Sequence, residues 1–414
     1  MMFIPGEGFY KKVLLYIFKW IIINLILGFI GAVMLLLIQK GSTYLIDNIY
    51  YKFFLSPIVG ALLISIVIHY FDSRSSGLGT DLYIAYTKSN VNLGHSFKLI
   101  LSKSFATTIT LGLMGIGGLV GPLLLIGSSL GRLLLKITDY LKIKLISSEL
   151  DLRVLSICGA AATLGPLLGA PLGGGIFATE VLYKSSLDYN DLFPAILGST
   201  FGYFFYHSFL PVPGLNIDIG LPEAGLKDIF LLILVALICG LIGQVFISIF
   251  NLIDNLFNNL NSSEFIKAII VAIILLATMK ILNINSFVEV AKIQDFFVAP
   301  ITDRYLLLVI ILKILLTMLI IGAGFSAAIV DIALVSGALA GNLIFFFFPQ
   351  LPLHLLVIVG LSATLSSVAN VPLATMVLVS EIFNLNLSLP VIIGSIIGYL
   401  IGRPKAVFKY ISEE

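Results

Sequence analysis

The chain has 414 residues, of which 11% are charged and 59% hydrophobic, with a formal net charge of +2 and a mean hydropathy of +1.11. A soluble globular domain carries about 25% charged residues, so this composition excludes one and describes a polytopic membrane protein. With no long basic run and a near-neutral balance, no nucleic-acid partner is expected.

Tyr10–Lys40 reads as one long helix, most apolar over Ile21–Leu37, and Tyr51–Phe71 reads as a second. Asp72–Asp81 is the most polar short stretch of the first half. A helix over 96–115 then leads into Gly112–Gly131, which is rich in glycine and carries no charge. Within it Gly121-Pro122 reads as a helix start, because proline fits the first helical position, where its missing N–H is not needed. A start of this kind presents bare N–H groups, and glycine lets an anion come close to them. The competing reading is tight helix packing through small residues. The helix continues over 122–137, and Asp151–Tyr183 follows, ending at Thr179-Glu180-Val181.

In the second half Ile229–Phe250, Ala268–Met279 and Tyr305–Ile321 are strongly apolar. Ala268–Met279 is shorter than the ~20 residues of an upright span, which predicts tilted, partial or broken helices. Together with 37 glycines and 15 prolines, this fits a fold in which irregular backbone lines a polar pathway inside the membrane. Lys11, Lys12 and Lys19 near the start and Arg403, Lys405 and Lys409 near the end place both termini on the cytoplasmic side. An even number of crossings follows. The first apolar segment is long and has no small-residue cleavage site, so it reads as a span and not as a cleaved signal.

Cys158 and Cys239 sit in apolar surroundings and read as small packing residues. His69, His95, His207 and His354 are scattered, and there is no Cys-x-x-Cys, zinc-type spacing or phosphate loop. No catalytic residue, metal or cofactor is therefore expected.

The chain is an internal duplication. Gly159 pairs with Gly360, Thr163 with Thr364 and Glu180 with Glu381, each 201 residues apart. Further on Pro194, Gly198, Gly202 and Tyr203 pair with Pro390, Gly394, Gly398 and Tyr399, each 196 apart. Gly112–Gly131 has its counterpart in Gly322–Gly341. Two such halves in a membrane protein pack about a pseudo-two-fold axis, with the permeant site between them. The recurrence of Glu180 as Glu381 points to a structural role for both, as caps or interhelical hydrogen bonds.

These blocks resemble the CLC family of chloride channels and chloride/proton exchangers. The resemblance rests on Gly-x-x-Gly-Pro at Gly118–Pro122, on Gly-Ala-Pro-Leu-Gly-Gly-Gly-Ile-Phe-Ala-Thr-Glu at Gly169–Glu180, on Asn370-Val-Pro-Leu with Ser380-Glu381, and on their order. It runs from about residue 13 to residue 409 and is to a divergent, prokaryotic-type member without cytoplasmic nucleotide-binding modules. It implies an all-α polytopic membrane protein of two inverted-topology repeats with about eighteen helices and half-helices. Here that means one transmembrane domain, 1–414, with repeats over 13–210 and 226–409. It further implies a multi-pass protein of the cell membrane, a homodimer in the lipid bilayer with one pathway per subunit, and chloride or a similar small anion as the permeant.

The resemblance also assigns site positions, and several of them depart from the family's pattern. The anion-binding set falls on Ser76, Gly77, Gly118, Leu119, Val120, Gly121, Ile329 and Val330. In the first loop, aligning the serines makes the Ser76 hydroxyl the ligand, whereas aligning the family's Pro-Glu with Thr80-Asp81 puts Gly77 there. Val120 occupies the gate position, where most members have a glutamate that competes with the anion. Val181 occupies the inner proton-site position, which is glutamate in the best-known exchangers. In the second half Val330 takes the place of the pore phenylalanine and Ile332 that of the family's proline, unless the frame shifts to make Phe325 the aromatic. Asp331 beside it is either a helix-start anion mimic and substitute gate, or a hydrogen-bonded aspartate facing elsewhere. The inner pore tyrosine falls on Ala406 after Arg403-Pro404, with Tyr410 a turn later and Tyr399 before it.

Both acidic groups of the usual proton route are thus missing. The expected function is a chloride channel or an uncoupled anion transporter, with a proton-coupled exchanger, a fluoride exporter of the same fold, and a non-conducting membrane scaffold as alternatives.

Overall fold

The computed structural model describes residues 7–88, 96–142, 149–183, 188–209, 226–260, 262–287, 290, 292–405 and 407–408. The first half holds α1 (Glu7–Leu45), α2 (Ser56–Ile66), α3 (Thr80–Lys88), α4 (Ser96–Met114), α5 (Val120–Tyr140), α6 (Glu149–Leu168), α7 (Pro171–Glu180) and α8 (Tyr189–Phe209). The second holds α9 (Leu226–Asn259), α10 (Glu264–Ile281), α11 (Asp295–Val298), α12 (Arg304–Gly322), α13 (Val330–Ile344), α14 (Leu353–Ala369), α15 (Pro372–Ile382) and α16 (Leu389–Gly402). These sixteen, with short π-helical and 3-10 turns at Ile46–Tyr50, Val67–Phe71 and Ser73–Ser75, make up the expected set of helices and half-helices, and there is no strand among the described residues. Six of the helices are long and apolar enough to cross a membrane.

Two local expectations need correcting. Tyr51–Phe71 is not one helix: α2 begins only at Ser56, with Pro57 in its first turn. Proline has no N–H to continue a preceding helix, whereas in the first turn of a new one that N–H is not needed. The α5 start lies two residues earlier than Pro122 suggested, at Val120, with Leu119 in the N-cap position. Pro122 fits there because the first four helical N–H groups have no partner inside the helix.

The duplication is visible in the packing. α5 lies on α6 as α13 lies on α14, and α6 lies on α8 as α14 lies on α16. Close approach between these pairs depends on the paired glycines. A Cβ on Gly127 would stand 2.2 Å from the Gly159 carbonyl, and one on Gly337 would stand 2.5 Å from the Gly360 carbonyl. The same holds for Gly202 and Gly398, each 2.1 Å from the carbonyl of an alanine on the facing helix. The small-residue packing reading is therefore right for Gly127 and Gly131, the later part of the opening glycine-rich stretch.

α7 and α15 meet across the interface of the halves. Glu180 accepts hydrogen bonds from the Leu373 and Ala374 amides at 3.0 and 2.6 Å. Glu381 accepts from Leu172 and Gly173 at 3.0 and 2.7 Å. Each carboxylate thus caps the first turn of the opposite helix, where the unpaired N–H groups and the helix dipole both favour negative charge. This is the interhelical role that the recurrence of the glutamate predicts.

Candidate functional site

The site is built where α4 gives way to α5. Gly115 and Gly117 take φ of 64° and 130°, which turns the chain back within four residues and brings the α5 N-terminus to the middle of the protein. Neither Leu119 nor its second-half counterpart Ile329 supplies a side-chain cap to the helix it starts. The first-turn N–H groups of α5 and α13 therefore look for partners elsewhere, and inside a membrane such groups form a natural anion site. α13 starts at Val330, with Ile329 in the N-cap position, and Phe325 is buried earlier in the loop.

The loop between α2 and α3 packs directly on this start. A Cβ on Gly121 would stand 2.4 Å from the Leu78 carbonyl, and one on Gly79 would stand 2.9 Å from the Gly121 carbonyl. Asp72 holds the near end of the loop through Arg74, at 2.9 and 2.7 Å. Burial works against the charge of Asp72, yet these bonds hold its carboxyl below the usual carboxylate range. Further along, Ser76 Oγ donates to the Gly324 carbonyl at 3.0 Å, and the Gly77 N–H donates to the same oxygen at 3.0 Å. Hydroxyl and amide converge on one point, so the two alignments of this loop describe one donor pair.

Beneath that pair lies Lys103 of α4, which is fully buried. Its Nζ reaches the carbonyls of Ser75, Ser76 and Gly77 at 3.0, 3.4 and 2.7 Å. Three acceptors match the three N–H donors of an ammonium, which a neutral amine lacks. Lys103 Nζ thus sits behind the Ser76–Gly77 donors. No motif marks Lys103, and its signal in the sequence is a lysine lying well inside a largely apolar helix.

The second-half loop that leads into α13 runs along the first-half elements residue by residue. Gly324 meets Ser76 and Gly77, Ser326 Oγ lies 2.7 Å from Thr107 Oγ1, and the Ala327 side chain meets Gly117. Asp331 then meets Gly118: a Cβ there would stand 1.9 Å from Asp331 Oδ2. The carboxylate does not face away, as the hydrogen-bonded alternative requires. The amides of Leu119 and of Asp331 itself are directed at it, while Oδ2 is shut off from solvent without a hydrogen-bond partner.

Two cavities of about 210 and 180 Å³ open at Ser76 and Gly77. Their polar lining includes Asp81, Asp254, Glu264 and Lys267. Gly118, Leu119, Val120, Gly121, Ile329 and Val330 lie together at the two helix starts, and Val120 and Val330 are buried. Val181 is buried at the end of α7, next to Glu180. Ala406 and Tyr410 fall outside the described residues.

A family model described as voltage gated chloride channel matches residues 9–150 and 137–403. An uncharacterized protein of Methanocaldococcus jannaschii is 27% identical over 397 residues, covering 95% of this chain and 96% of that one. A chloride/fluoride channel protein of Pseudomonas syringae pv. tomato is 23% identical over 270 residues, covering 62% of this chain and 58% of that one. Among solved structures, a CLC-type fluoride/proton antiporter superposes with a TM-score of 0.79 at 19% identity, over 98% of both chains. A slow cyanobacterial Cl-/H+ antiporter superposes with a TM-score of 0.78 at 16% identity, over 93% of this chain and 94% of that one.

Proposed function

We propose that this chain, which belongs to the voltage gated chloride channel family, carries chloride or a similar small anion across a cell membrane without obligatory proton exchange. The reading rests on one observation: valine stands at the α5 start, where the family's gating carboxylate would be, and valine cannot carry a proton. Val181 leaves the inner position equally without an acid. An anion would pass from the cavities at Ser76 and Gly77 to the amides of Gly118, Leu119, Val120 and Gly121, faced by Ile329 and Val330. Helix-start amides hold an anion loosely enough to release it, whereas a close ion pair would trap it.

In this reading the repeats run over 13–210 and 226–409, and both termini face the cytoplasm. Two copies pair as a homodimer, with one pathway in each subunit. Fluoride is the second reading for the permeant, favoured by the likeness to the Pseudomonas chloride/fluoride channel protein and to the CLC-type fluoride/proton antiporter.

Purified protein in liposomes tests both, with chloride, nitrate and fluoride efflux recorded together with proton movement. Chloride efflux with no uphill proton uptake is expected. Proton pumping driven by a chloride gradient overturns the uncoupled reading, fluoride efflux alone favours the second permeant, and no flux of any anion leaves only a scaffold.

A further inference from the structure

Val120 removes the carboxylate from the α5 start, and the structure returns one from the other half. Asp331 Oδ2 rests on the Cα of Gly118, in a space that any side chain at 118 would fill. The amide of Leu119 is directed at this carboxylate, and Oδ2 has no hydrogen-bond partner of its own. At the inner end of the same loop, the Gly324 carbonyl takes both donors of the Ser76–Gly77 pair. Oxygen atoms of the 324–331 segment thus lie at both places where first-half donors converge.

We propose that Asp331 is the gate of this pathway, a carboxylate supplied by the second repeat that competes with the anion for the amides at the α5 start. The proposal rests on the anion-pathway reading above and adds to it what closes the pathway. An ionised carboxylate at Gly118 repels an incoming anion and takes the amides the anion needs. Once protonated or swung aside, it leaves both. The shift in position has a consequence for regulation, because this gate moves with α13 and its loop and not with α5.

The charged surroundings of Asp331 are sparse. Lys313 of α12 acts on it, while donating its Nζ hydrogen bond to the Val290 carbonyl. Lys103 of α4 is directed at the 75–77 carbonyls. Asp254 of α9 lines the cavity at Gly324. Neither Gly115–Ser129 nor Gly324–Val330 contains an ionisable side chain. Proton binding at Asp331 is therefore the event that acid pH brings to this end of the pathway.

The test compares the full-length wild type with Asp331→Asn in liposomes between about pH 4.5 and about pH 7.5, a range that covers carboxyl protonation. Wild-type chloride efflux rises toward acid pH. The Asn variant passes chloride on the order of tenfold faster at the upper pH, since the competent fraction of sites no longer depends on the carboxylate, and its rate is flat across the range. A variant with the wild-type rate and pH profile overturns the proposal while leaving the anion pathway standing. If neither protein passes chloride, nitrate or fluoride at any pH, the pathway reading fails and the gate with it. Should Asp331→Asn fail to fold, chloride binding to the wild type in detergent decides by calorimetry: affinity that strengthens as pH falls supports the gate, and affinity independent of pH overturns it.

Discussion

Glu180 and Glu381 perform one task in the two repeats, whereas the helix starts at Val120 and Val330 perform two different ones. At the α7–α15 meeting each glutamate caps the opposite helix through two amides, with donor distances between 2.6 and 3.0 Å on both sides. At the α5–α13 meeting the first repeat contributes amides and glycine, and the second contributes a carboxylate that lies on Gly118. Holding two halves together is a task that symmetry serves, because the same bond made twice closes the interface. A pathway has an entrance, an exit and something that blocks it, and identical contributions from both halves cannot supply all three.

The largest expected effect breaks the symmetric region. Glu180→Ala leaves the Leu373 and Ala374 amides without their charged acceptor inside the protein, and should cost about 3 kcal/mol of stability. Glu381 makes the matching pair of bonds to Leu172 and Gly173, so Glu381→Ala is expected to cost a similar amount. Thermal unfolding in detergent measures both, and chloride-to-nitrate selectivity in liposomes should not change in the protein that remains folded. Clearly unequal losses would mean that the two caps are not equivalent.

The symmetric region was also the legible one. Gly127 and Gly337, Gly202 and Gly398, and Glu180 and Glu381 recur at fixed intervals because each makes a contact that the fold needs twice. The fold class followed from these repeats and from composition. The pathway was legible only in part. Val120 is legible because Gly118–Pro122 is a short contiguous motif, which requires no knowledge of distant residues. Lys103, Gly324 and the direction of Asp331 were hidden, because their meaning lies in which backbone groups of another segment come to face them. Ser76 and Gly77 both donate to the Gly324 carbonyl, a convergence that no alignment of the loop can display. The start of α5 was displaced by two residues because proline is accepted throughout the first helical turn and marks no single position in it.

The next effect sharpens the asymmetric region. Lys103 has its positional equivalent in Lys313 of α12, 210 residues on as Gly322 is from Gly112, but the two serve different backbone: Lys103 Nζ reaches the 75–77 carbonyls, and Lys313 Nζ donates to the Val290 carbonyl. If the buried charge of Lys103 draws anions toward Ser76 and Gly77, Lys103→Met should lower chloride flux on the order of tenfold, equal to about 1.4 kcal/mol in site occupancy. The variant keeps the length of the side chain but leaves the three carbonyls of 75–77 without a donor. Circular dichroism and dimer content of the purified variant separate loss of charge from loss of the loop's shape. Unchanged flux in a folded Lys103→Met protein would assign the lysine to holding the loop alone.

The smallest effect concerns Ser76. Its hydroxyl and the Gly77 amide address the same point, and only the hydroxyl can be removed by substitution. In Ser76→Ala the Gly77 N–H and the Lys103 side chain behind it both remain, so an anion arriving there loses one of two direct donors. One neutral hydrogen bond in exchange with water is worth about 1 kcal/mol, which corresponds to roughly a fivefold weakening of chloride binding. Calorimetry on the purified variant reads this directly. A much larger loss would show that the hydroxyl, and not the amide, carries the inner site. No loss would show that the Gly77 amide suffices, and that in the anion-bound form the Ser76 hydroxyl stays with the Gly324 carbonyl it meets here.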